Sequence, residues 1–495
     1  MLGRVASEAA RRFGDRTAYV AADGWSLTYA DLDRLSDEVA AGLARRGVRE
    51  GDVVALVLPT IPEHVVALVG TAKLGAVTAA VNARLTPPER DAVLGVAGPR
   101  LVLATPSLEP DGDWDVVGVE PAGAANGVLT GLRVEAGAPP PLTDDPQRPV
   151  AIVFTSGTTG TPKGVVFAGR QLEHITLVDT GNRWGDGGVT LAGTSLAHLG
   201  PTTKLPGKLH QGGVTHLMER WSAGAALRLI AEHRMSFLGG IPTQVALMLR
   251  HPDFDRHDLT CVQAVVMGGG PSTPALVREA RDRIGAAVLV RYSCTEAGVG
   301  TGTAADDPTE DPEETVGRAL PGVSVVVRDE AGQPVPDGEV GEVCIGSPAV
   351  ASGYWEDPAA TAAAFLPDDS VRTGDLGWLD DRGRLHLVGR IKEMYVRGGY
   401  NVYPAEVEAV LATHPKVAEV AVVPRSDDVM GEVGVAVVVP RDAGDPPTLD
   451  ELRSAAGGHL ARHKLPSSLV VLDALPLTSM EKVDRRALAR VVGKG

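Results

Sequence analysis

Apolar and polar positions in the first third of the chain alternate between a helical period and continuous apolar runs. Between Thr28 and Gly47, Leu and Val recur at helical spacing, and the Thr28–Asp31 pair at the start is typical of a capping box. Apolar runs that do not alternate predict buried strands at residues 53–58, 76–81, 101–104 and 150–154. A helix from about Pro62 to Leu74 separates the first two strands. Continuous apolar strands between helices indicate a parallel sheet covered on both faces.

The pattern changes further along the chain. Residues 105–149 are rich in Pro, Gly and Asp without periodicity, which predicts a surface connection. From about 313 to 388, short strands alternate with turns and predict a compact β subdomain. A helix starting at Pro404 and strands at 420–423 and 433–439 then predict a small α+β unit.

Together these patterns predict an α/β fold in two domains. A chain of 495 residues exceeds what one hydrophobic core usually supports. We expect a large N-terminal domain, residues 1–389, with two parallel-type α/β sheets and the β subdomain. A small α+β C-terminal domain, residues 392–495, follows a boundary near Lys392.

Composition and charge exclude several classes of function. The formal net charge of −16 and an aromatic share of 4% argue against a general polyanion binder and against stacking on single-stranded nucleic acid. Cys261, Cys294 and Cys344 are spaced for neither a disulfide framework nor a zinc site, which fits a reducing cytoplasm. The N-terminus lacks the apolar core of a signal peptide, and charged residues and prolines break the most apolar stretch. We therefore expect a cytoplasmic protein without an integral membrane segment.

Residues 154–164 form a glycine- and hydroxyl-rich segment directly behind a predicted buried strand. Glycines let backbone N–H groups approach phosphate oxygens closely, hydroxyl groups add donors, and Lys163 adds positive charge. The spacing of Gly157, Gly160 and Lys163 does not fit a Walker A loop. The segment therefore predicts a phosphate-binding loop of another kind.

This loop resembles the signature loop of the adenylate-forming superfamily, which includes acyl- and aryl-CoA synthetases, peptide-synthetase adenylation domains and firefly luciferases. The superfamily's other motifs follow in order, and the resemblance runs from Leu27 to Lys482. It implies that ATP is bound by loop residues Thr155, Ser156, Gly157, Thr158, Thr159, Gly160 and Lys163.

Two motifs before residue 300 resemble the adenine and magnesium segments of the superfamily. Gly268-Gly-Gly-Pro271 resembles a turn that packs on adenine, which implies a nucleotide-binding role for Gly269, Gly270 and Pro271. Tyr292-Ser-Cys-Thr-Glu296 resembles the segment in which the tyrosine stacks on adenine, the threonine contacts the α-phosphate and the glutamate binds Mg²⁺. By this resemblance Tyr292, Ser293 and Thr295 bind nucleotide and Glu296 is the metal ligand. Ser293 stands where the superfamily usually has glycine.

The later motifs imply a ribose site, a hinge and a catalytic lysine. Asp375 matches the carboxylate that holds the ribose hydroxyls, and Arg390 matches a ribose and phosphate contact. Lys392 matches the pivot of a mobile small domain, and Gly398 and Gly399 match the segment that enters the site for the second half-reaction. The resemblance implies four catalytic residues, Thr155, His198, Glu296 and Lys482. Of these, His198 matches a residue that acts as a gate beside the carboxylate site. Glu481 replaces the usual glycine before that lysine.

The resemblance is greatest to acyl- and fatty-acid-CoA ligases, which implies ATP, Mg²⁺ and coenzyme A as cofactors and a small carboxylic acid as substrate. We therefore expect an AMP-forming acid–thiol ligase. Two alternatives stay open: transfer of the acyl group to an acyl carrier protein, and activation of another small oxyacid such as nitrite. A non-enzymatic adenylate-binding protein would have lost the lysine or the metal ligand, and this chain keeps both.

The acid itself and the oligomeric state are not predicted by these motifs. Pocket residues are expected from 194–213 and 267–302, where small side chains prevail. Lys204, Lys208, His210 and His216 are an unusual basic concentration in the first of these segments. They could meet an anionic group on the substrate or on CoA, although solvated charges near a surface loop are the more common explanation.

Overall fold

The computed structural model describes residues 1–155, 162–478 and 482–493. The strands in these residues are β1 (Thr17–Val20), β2 (Ser26–Thr28), β3 (Val53–Val57), β4 (Val77–Ala80), β5 (Leu101–Ala104), β6 (Val116–Gly118), β7 (Pro149–Thr155), β8 (Lys163–Ala168), β9 (Val189–Ala192), β10 (Val214–Leu217), β11 (Phe237–Gly240), β12 (Ala264–Gly268), β13 (Ala287–Tyr292), β14 (Thr301–Gly302), β15 (Arg318–Ala319), β16 (Ser324–Arg328), β17 (Gly341–Gly346), β18 (Ser370–Leu379), β19 (Leu385–Arg390), β20 (Tyr395–Arg397), β21 (Tyr400–Val402), β22 (Val417–Asp427), β23 (Gly431–Pro440) and β24 (Ser468–Val471). The α-helices are α1 (Leu2–Phe13), α2 (Tyr29–Arg45), α3 (Pro62–Leu74), α4 (Pro87–Ala97), α5 (Gly169–Thr180), α6 (Leu199–Thr203), α7 (Leu205–Gln211), α8 (Ala223–Glu232), α9 (Pro242–Leu249), α10 (Pro274–Ile284), α11 (Asp311–Glu314), α12 (Pro358–Ala364), α13 (Pro404–Leu411), α14 (Leu449–Ala456) and α15 (Arg485–Val492).

The first sheet has the strand order β6-β5-β3-β4-β7-β8, and its pairs are parallel except for β7 with β8. All five residues of β3 are buried, as the continuous apolar run predicted. The predicted helix after β3 coincides with α3, and the capping box of Thr28 and Asp31 opens α2. A parallel sheet places the carboxyl ends of β4 and β7 at one edge, where their loops can meet.

A second sheet, β11-β12-β13-β14-β15, is parallel through β13 and antiparallel beyond it. A third sheet, β2-β1-β10-β9, joins the N-terminal segment to residues 189–217. The sequence did not predict this third sheet, because its short strands mix polar with apolar residues and are only partly buried, so they give no continuous apolar run. The α/β fold class is confirmed.

The prediction that residues 105–149 form only a surface connection was wrong in part. The segment contributes β6 to the first sheet, and Val128, Leu129 and Leu132 are buried in the main core. Helix α2 approaches this segment so closely that a Cβ at Gly42 would lie 1.8 Å from the carbonyl oxygen of Leu132. Single apolar residues among Pro and Gly give no periodic signal, although tertiary packing buries them.

Two smaller sheets complete the chain. Strands β16 to β19 form an antiparallel sheet, as predicted for the β subdomain, and its last pair places Asp375 opposite Arg390. The C-terminal sheet has the order β21-β20-β23-β22, with β24 on β23, and it packs α13 and α14 into one core and α15 into another. Among the described helices, none is both long enough and apolar enough to cross a membrane.

Candidate functional site

The predicted phosphate loop is described only at its two stems. Thr155 ends β7 and pairs in register with Lys163, which begins β8. The predicted ligands between the stems, Ser156, Gly157, Thr158, Thr159 and Gly160, lie outside the described residues. The buried strand predicted before this segment is β7, whereas the strand β8 that follows it and pairs with β7 was not predicted.

Tyr354 connects the returning stem to the predicted metal ligand. Its hydroxyl donates to a carboxylate oxygen of Glu296 at 2.7 Å, and the ammonium of Lys163 lies 4.5 Å from the centre of its ring. Burial and the nearby Glu296 charge raise the pKa of Tyr354, so the phenol remains a hydrogen-bond donor. Sequence reasoning gave the Ser-Gly-Tyr-Trp segment no chemical role and missed this residue.

Asp375 is the centre of a second group of contacts. Its buried carboxylate accepts a hydrogen bond of 2.7 Å from the Tyr292 hydroxyl and an ion pair of 3.0 Å from Arg390. The backbone N–H of Asp375 also donates to the Thr373 hydroxyl at 3.1 Å. Desolvation disfavours the charge on Arg390, yet Asp375 and Glu393 hold its pKa above the ordinary value. Tyr292 and Arg390, which the sequence assigned to the same nucleotide site as Asp375, therefore both contact its carboxylate.

Lys482 lies close to this group even though it belongs to the C-terminal part of the chain. The residue is exposed, and desolvation together with the Arg390 charge lowers its pKa, while Asp375 opposes that effect. The same ammonium acts on His198, whose pKa falls to about 4 through burial, with Lys482 and Arg84 adding to the effect. The structure thus brings the predicted gate and the predicted catalytic lysine into one electrostatic neighbourhood.

His198 also has a neighbour that the sequence analysis missed. Its Nε2 lies 3.4 Å from the side-chain nitrogen of Asn82, and the other amide atom of Asn82 accepts from the Arg84 backbone N–H at 3.0 Å. Asn82 follows β4, at the edge of the sheet where the phosphate loop also leaves β7. A polar residue directly behind a buried parallel strand was the available signal.

The glycine turn and the segment after Tyr292 line the same edge of the second sheet. Gly268 ends β12 opposite Arg291, and a Cβ on it would lie 3.0 Å from the carbonyl oxygen of Arg291. Gly269 has a φ of +77°, which favours glycine, and Gly270 and Pro271 continue the turn. The glycines therefore leave backbone without side chains next to β13, the strand that ends in Tyr292.

The residues between Tyr292 and Glu296 point to binding and away from covalent catalysis. The Ser293 hydroxyl donates to the carbonyl oxygen of Cys294 at 3.0 Å, and the Thr295 carbonyl accepts from the Gly298 N–H. Burial, with the Glu296 charge, raises the pKa of the Cys294 thiol. A buried thiol held protonated in this way is a poor nucleophile.

The predicted hinge segment joins the β subdomain to the C-terminal sheet. Arg390 ends β19, and Lys392 lies in a short 3₁₀ turn, Ile391–Glu393. Gly398 and Gly399 connect β20 to β21 with φ values of +56° and +87°, and the Gly398 N–H donates to the Met430 carbonyl. In the described contacts, these glycines therefore pack within the C-terminal sheet and not against Asp375. Glu481 lies outside the described residues.

In the described part of the chain, an ion pair joins the large domain to the C-terminal sheet. The Arg250 guanidinium, at the end of α9, binds the Glu419 carboxylate on β22 and also donates to the Ala418 carbonyl at 2.9 Å. Both side chains are about one-third exposed, at 35% and 32%. The contact is present in the same domain arrangement in which the Lys482 charge acts on His198.

Within the described residues, no three His, Cys, Asp or Glu side chains converge as a metal cage. A magnesium ion bound through substrate phosphates needs only one or two protein carboxylates. The Glu296 carboxylate, oriented by the Tyr354 hydroxyl, suits that chemistry.

Comparison with known proteins gives matches along nearly the whole chain. The family model described as AMP-binding enzyme matches residues 6–355, and the model for the AMP-binding enzyme C-terminal domain matches residues 406–482. A fatty acid–[acyl-carrier-protein] ligase, ScoC of Streptomyces coeruleorubidus, is 34% identical over 489 residues, 95% of this chain and 93% of the relative. A feruloyl-CoA synthase of Amycolatopsis is 34% identical over 482 residues, 95% of each chain.

Solved structures also match this chain over nearly its whole length. The ATP-bound structure of MatB from Rhodopseudomonas palustris superposes with a TM-score of 0.87 at 29% identity, over 99% of both chains. A large domain of parallel-type α/β sheets followed by a smaller domain is thus the architecture of this chain.

Proposed function

The chain belongs to the AMP-binding enzyme family, and from that premise we propose that it is an acyl-CoA ligase. It activates a carboxylic acid with ATP, releases pyrophosphate, and passes the acyl group from the acyl-adenylate to the thiol of coenzyme A. The observation that carries the proposal is the group of Tyr292, Asp375, Arg390 and Lys482, because it joins a hydroxyl-binding carboxylate to one cation of the β subdomain and one of the C-terminal domain.

In the first half-reaction, the substrate carboxylate attacks the α-phosphorus of ATP and pyrophosphate leaves in line. Asp375 accepts hydrogen bonds from the ribose hydroxyls, since a carboxylate offers several acceptor sites. Lys482 and Arg390 stabilise the charge that develops on the phosphate oxygens. Glu296 would hold Mg²⁺, which neutralises phosphate charge when bound.

His198 remains neutral beside the reacting carboxylate. Its low pKa follows from burial between the Lys482 and Arg84 charges, so it adds no positive charge at physiological pH. A neutral imidazole can donate or accept a hydrogen bond and does not hold the anionic substrate in an ion pair. We assign His198 to orienting the carboxylate.

The second half-reaction requires a different arrangement of the small domain. Lys482 and the Gly398–Gly399 turn lie in the same small domain, and the turn packs against Met430 while Lys482 lies beside Arg390. We propose that rotation about Lys392 withdraws Lys482 and brings the glycine turn to the acyl-adenylate for thiol attack. The end of the β-subdomain sheet at Arg390 and the start of the next strand at Tyr395 support a domain boundary there.

A carrier protein is the second candidate acceptor, since ScoC is named for transfer to an acyl carrier protein.

The free thiols of all three cysteines support the expected cytoplasmic location.

The experiment has two steps. Acid-dependent exchange of labelled pyrophosphate into ATP is measured first, over aliphatic, aromatic and amino acids, with nitrite included. Release of AMP is then measured with CoA, with a phosphopantetheinylated carrier protein, or with an amine and nitrite. AMP release that depends on CoA supports the proposal. If pyrophosphate exchange occurs but AMP release does not depend on CoA, the adenylation step is supported and the proposed transfer to CoA is wrong.

A further inference from the structure

Lys482 lies between a short backbone pairing and the start of α15. The Thr478 N–H donates to the Lys482 carbonyl at 2.7 Å, and the Lys482 N–H donates to the Thr478 hydroxyl at 3.3 Å. Asp484 then caps α15, because its carboxylate accepts from the Ala487 N–H at 2.9 Å. The backbone of Lys482 is therefore held to Thr478 on one side and lies two residues before the helix cap on the other.

Arg485, the first residue of α15, binds β22, α13 and the hinge segment at once. Its guanidinium donates to the Val422 carbonyl on β22 at 2.8 Å and binds the Glu408 carboxylate on α13 at 2.9 Å. It also binds the Glu393 carboxylate at 3.1 Å. A cation in the first turn of a helix is opposed by the helix dipole, so the stability of α15 alone does not account for an arginine there. These contacts with other segments do.

Glu393 connects this group of contacts to the hinge. It ends the 3₁₀ turn Ile391–Glu393 and directly follows Lys392, the proposed pivot. Both partners of the Glu393–Arg485 ion pair lie on the C-terminal side of that pivot, so a rotation about Lys392 would carry them together. The pair joins the hinge to the start of α15 directly, whereas the chain between them runs through the whole C-terminal sheet.

Apolar packing holds the rest of α15. Leu488 and Val492 are buried in a core with residues of β22 and β23. Apolar burial has no preferred direction, so it holds the helix against the sheet more firmly than it fixes the position of the helix end. The planar guanidinium of Arg485 adds directed hydrogen bonds at the end of the helix that lies nearest to Lys482.

We propose that Arg485 is a positioning residue for Lys482: by joining the start of α15 to Glu393, it fixes where Lys482 lies relative to the hinge during adenylation. This inference rests on the proposed function, in which Lys482 stabilises charge on the phosphate oxygens. A misplacement of about 1 Å can cost about 10²-fold in rate. Once Lys482 has withdrawn from the site, its exact position no longer affects the reaction, so the effect of Arg485 is confined to the first half-reaction.

The experiment measures both half-reactions in Arg485→Met and Glu393→Gln. Arg485→Met keeps a long side chain on α15 and removes its charge and its donors, while Glu393→Gln weakens only the contact at the hinge. We expect Arg485→Met to lower kcat of pyrophosphate exchange about 10–100-fold, with an unchanged KM for ATP and unchanged thioester formation from supplied acyl-adenylate. Glu393→Gln should lower the same kcat about two- to fivefold, because 34% of the Glu393 side chain is exposed and such ion pairs are weak.

Further variants separate positioning from general support of the fold. Both substitutions are repeated in Lys482→Ala, where a residue that acts through Lys482 should cause no additional loss of exchange. Arg485→Lys should recover part of the loss, because an ammonium keeps the charge but lacks the planar fork of donors. Arg490→Met is the matched control, since Arg490 is exposed in the last turn of the same helix, and it should leave both half-reactions unchanged.

An additional loss in the Lys482→Ala background would mean that Arg485 acts through another group, which overturns the inference. Equal losses in both half-reactions of Arg485→Met, or unchanged exchange, also overturn it. If Arg485→Met does not fold, Glu393→Gln decides by the same criteria, because it leaves the contacts of Arg485 with β22 and α13 in place. All these results leave the proposed function intact as long as the parent chain exchanges pyrophosphate with an acid. A parent chain without exchange contradicts the proposed function and this inference together.

Discussion

The ion pair between Arg250 and Glu419 gives a quantitative prediction about the domain arrangement. Arg250→Ala removes an ion pair whose side chains are 35% and 32% exposed, and also the hydrogen bond to the Ala418 carbonyl. Solvent screening limits such a pair to about 0.2–1 kcal/mol. The hydrogen bond from the charged guanidinium, which solvent also reaches, adds about 0.5–1.5 kcal/mol. Values near the middle of these two ranges together stabilise the present orientation by about 1–2 kcal/mol, which corresponds to a factor of about 5–30 in population.

The assay compares the two half-reactions in the same variant. Adenylation is followed by pyrophosphate exchange, and thioester formation is followed in a single turnover from supplied acyl-adenylate. We expect the ratio of thioester formation to adenylation to rise about 5–30-fold in Arg250→Ala. Glu419→Gln keeps the bond to the Ala418 carbonyl and should shift the ratio less. Its effect should vanish at 1 M salt, where the screening length is about 3 Å.

Arg256→Ala is the matched control, because Arg256 forms its ion pair with Asp253 inside the large domain. It should leave the ratio of the two half-reactions unchanged. Equal changes in both half-reactions of Arg250→Ala would mean that the pair supports the fold in general. An unchanged ratio would mean that the ion pair does not stabilise the present orientation of the C-terminal domain. Either result refutes the reasoning.

Three further predictions concern the site itself. Lys482→Ala should slow acyl-adenylate formation about 10²–10³-fold and spare thioester formation from supplied acyl-adenylate, and equal loss in both steps would remove Lys482 from this role. Tyr354→Phe removes the hydrogen bond that orients Glu296 and should raise the Mg²⁺ concentration needed for half-maximal exchange, which a magnesium titration measures. His198 has a folded pKa of about 4 against an ordinary 6.5, so the unfolded chain binds the extra proton between these values and stability falls as pH drops through that window. His198→Gln should lose less stability between pH 6.5 and 4 than the parent in thermal unfolding, and an equal loss would contradict the assignment.

Sequence reasoning correctly predicted the helices and strands whose signals lie within a short segment of the chain. Helix α2 carries its own start signal in the Thr28 capping box, and α3 begins with Pro62 and ends before a left-handed glycine, Gly75. Strand β3 is buried on both faces and so needs a continuous apolar run. In each case the information lies within about fifteen residues, which is why sequence reasoning succeeded.

The site residues that sequence reasoning missed depend on contacts between distant segments of the chain. Tyr354 acquires a chemical environment only because its hydroxyl meets Glu296, 58 residues earlier in the chain. Asn82 meets His198 across 116 residues. Tyr354 belongs to no periodic pattern, and the position of Asn82 behind β4 signals a site residue but does not identify its partner.

The two cations near Asp375 are held in different ways, and this difference bears on the proposed reaction cycle. Asp375 and Arg390 are direct register partners on β18 and β19, so the β subdomain itself keeps them together. Lys482 reaches the same place from beyond β24, and among the strand pairings of the described residues none joins it to β18 or β19. A rotation that begins after Arg390 can therefore withdraw Lys482 once pyrophosphate has left, while Asp375 and Arg390 keep their pairing. The nucleotide half of the acyl-adenylate would then stay bound beside Asp375, and Arg390 would remain to stabilise the negative charge that AMP gains when the thiol displaces it.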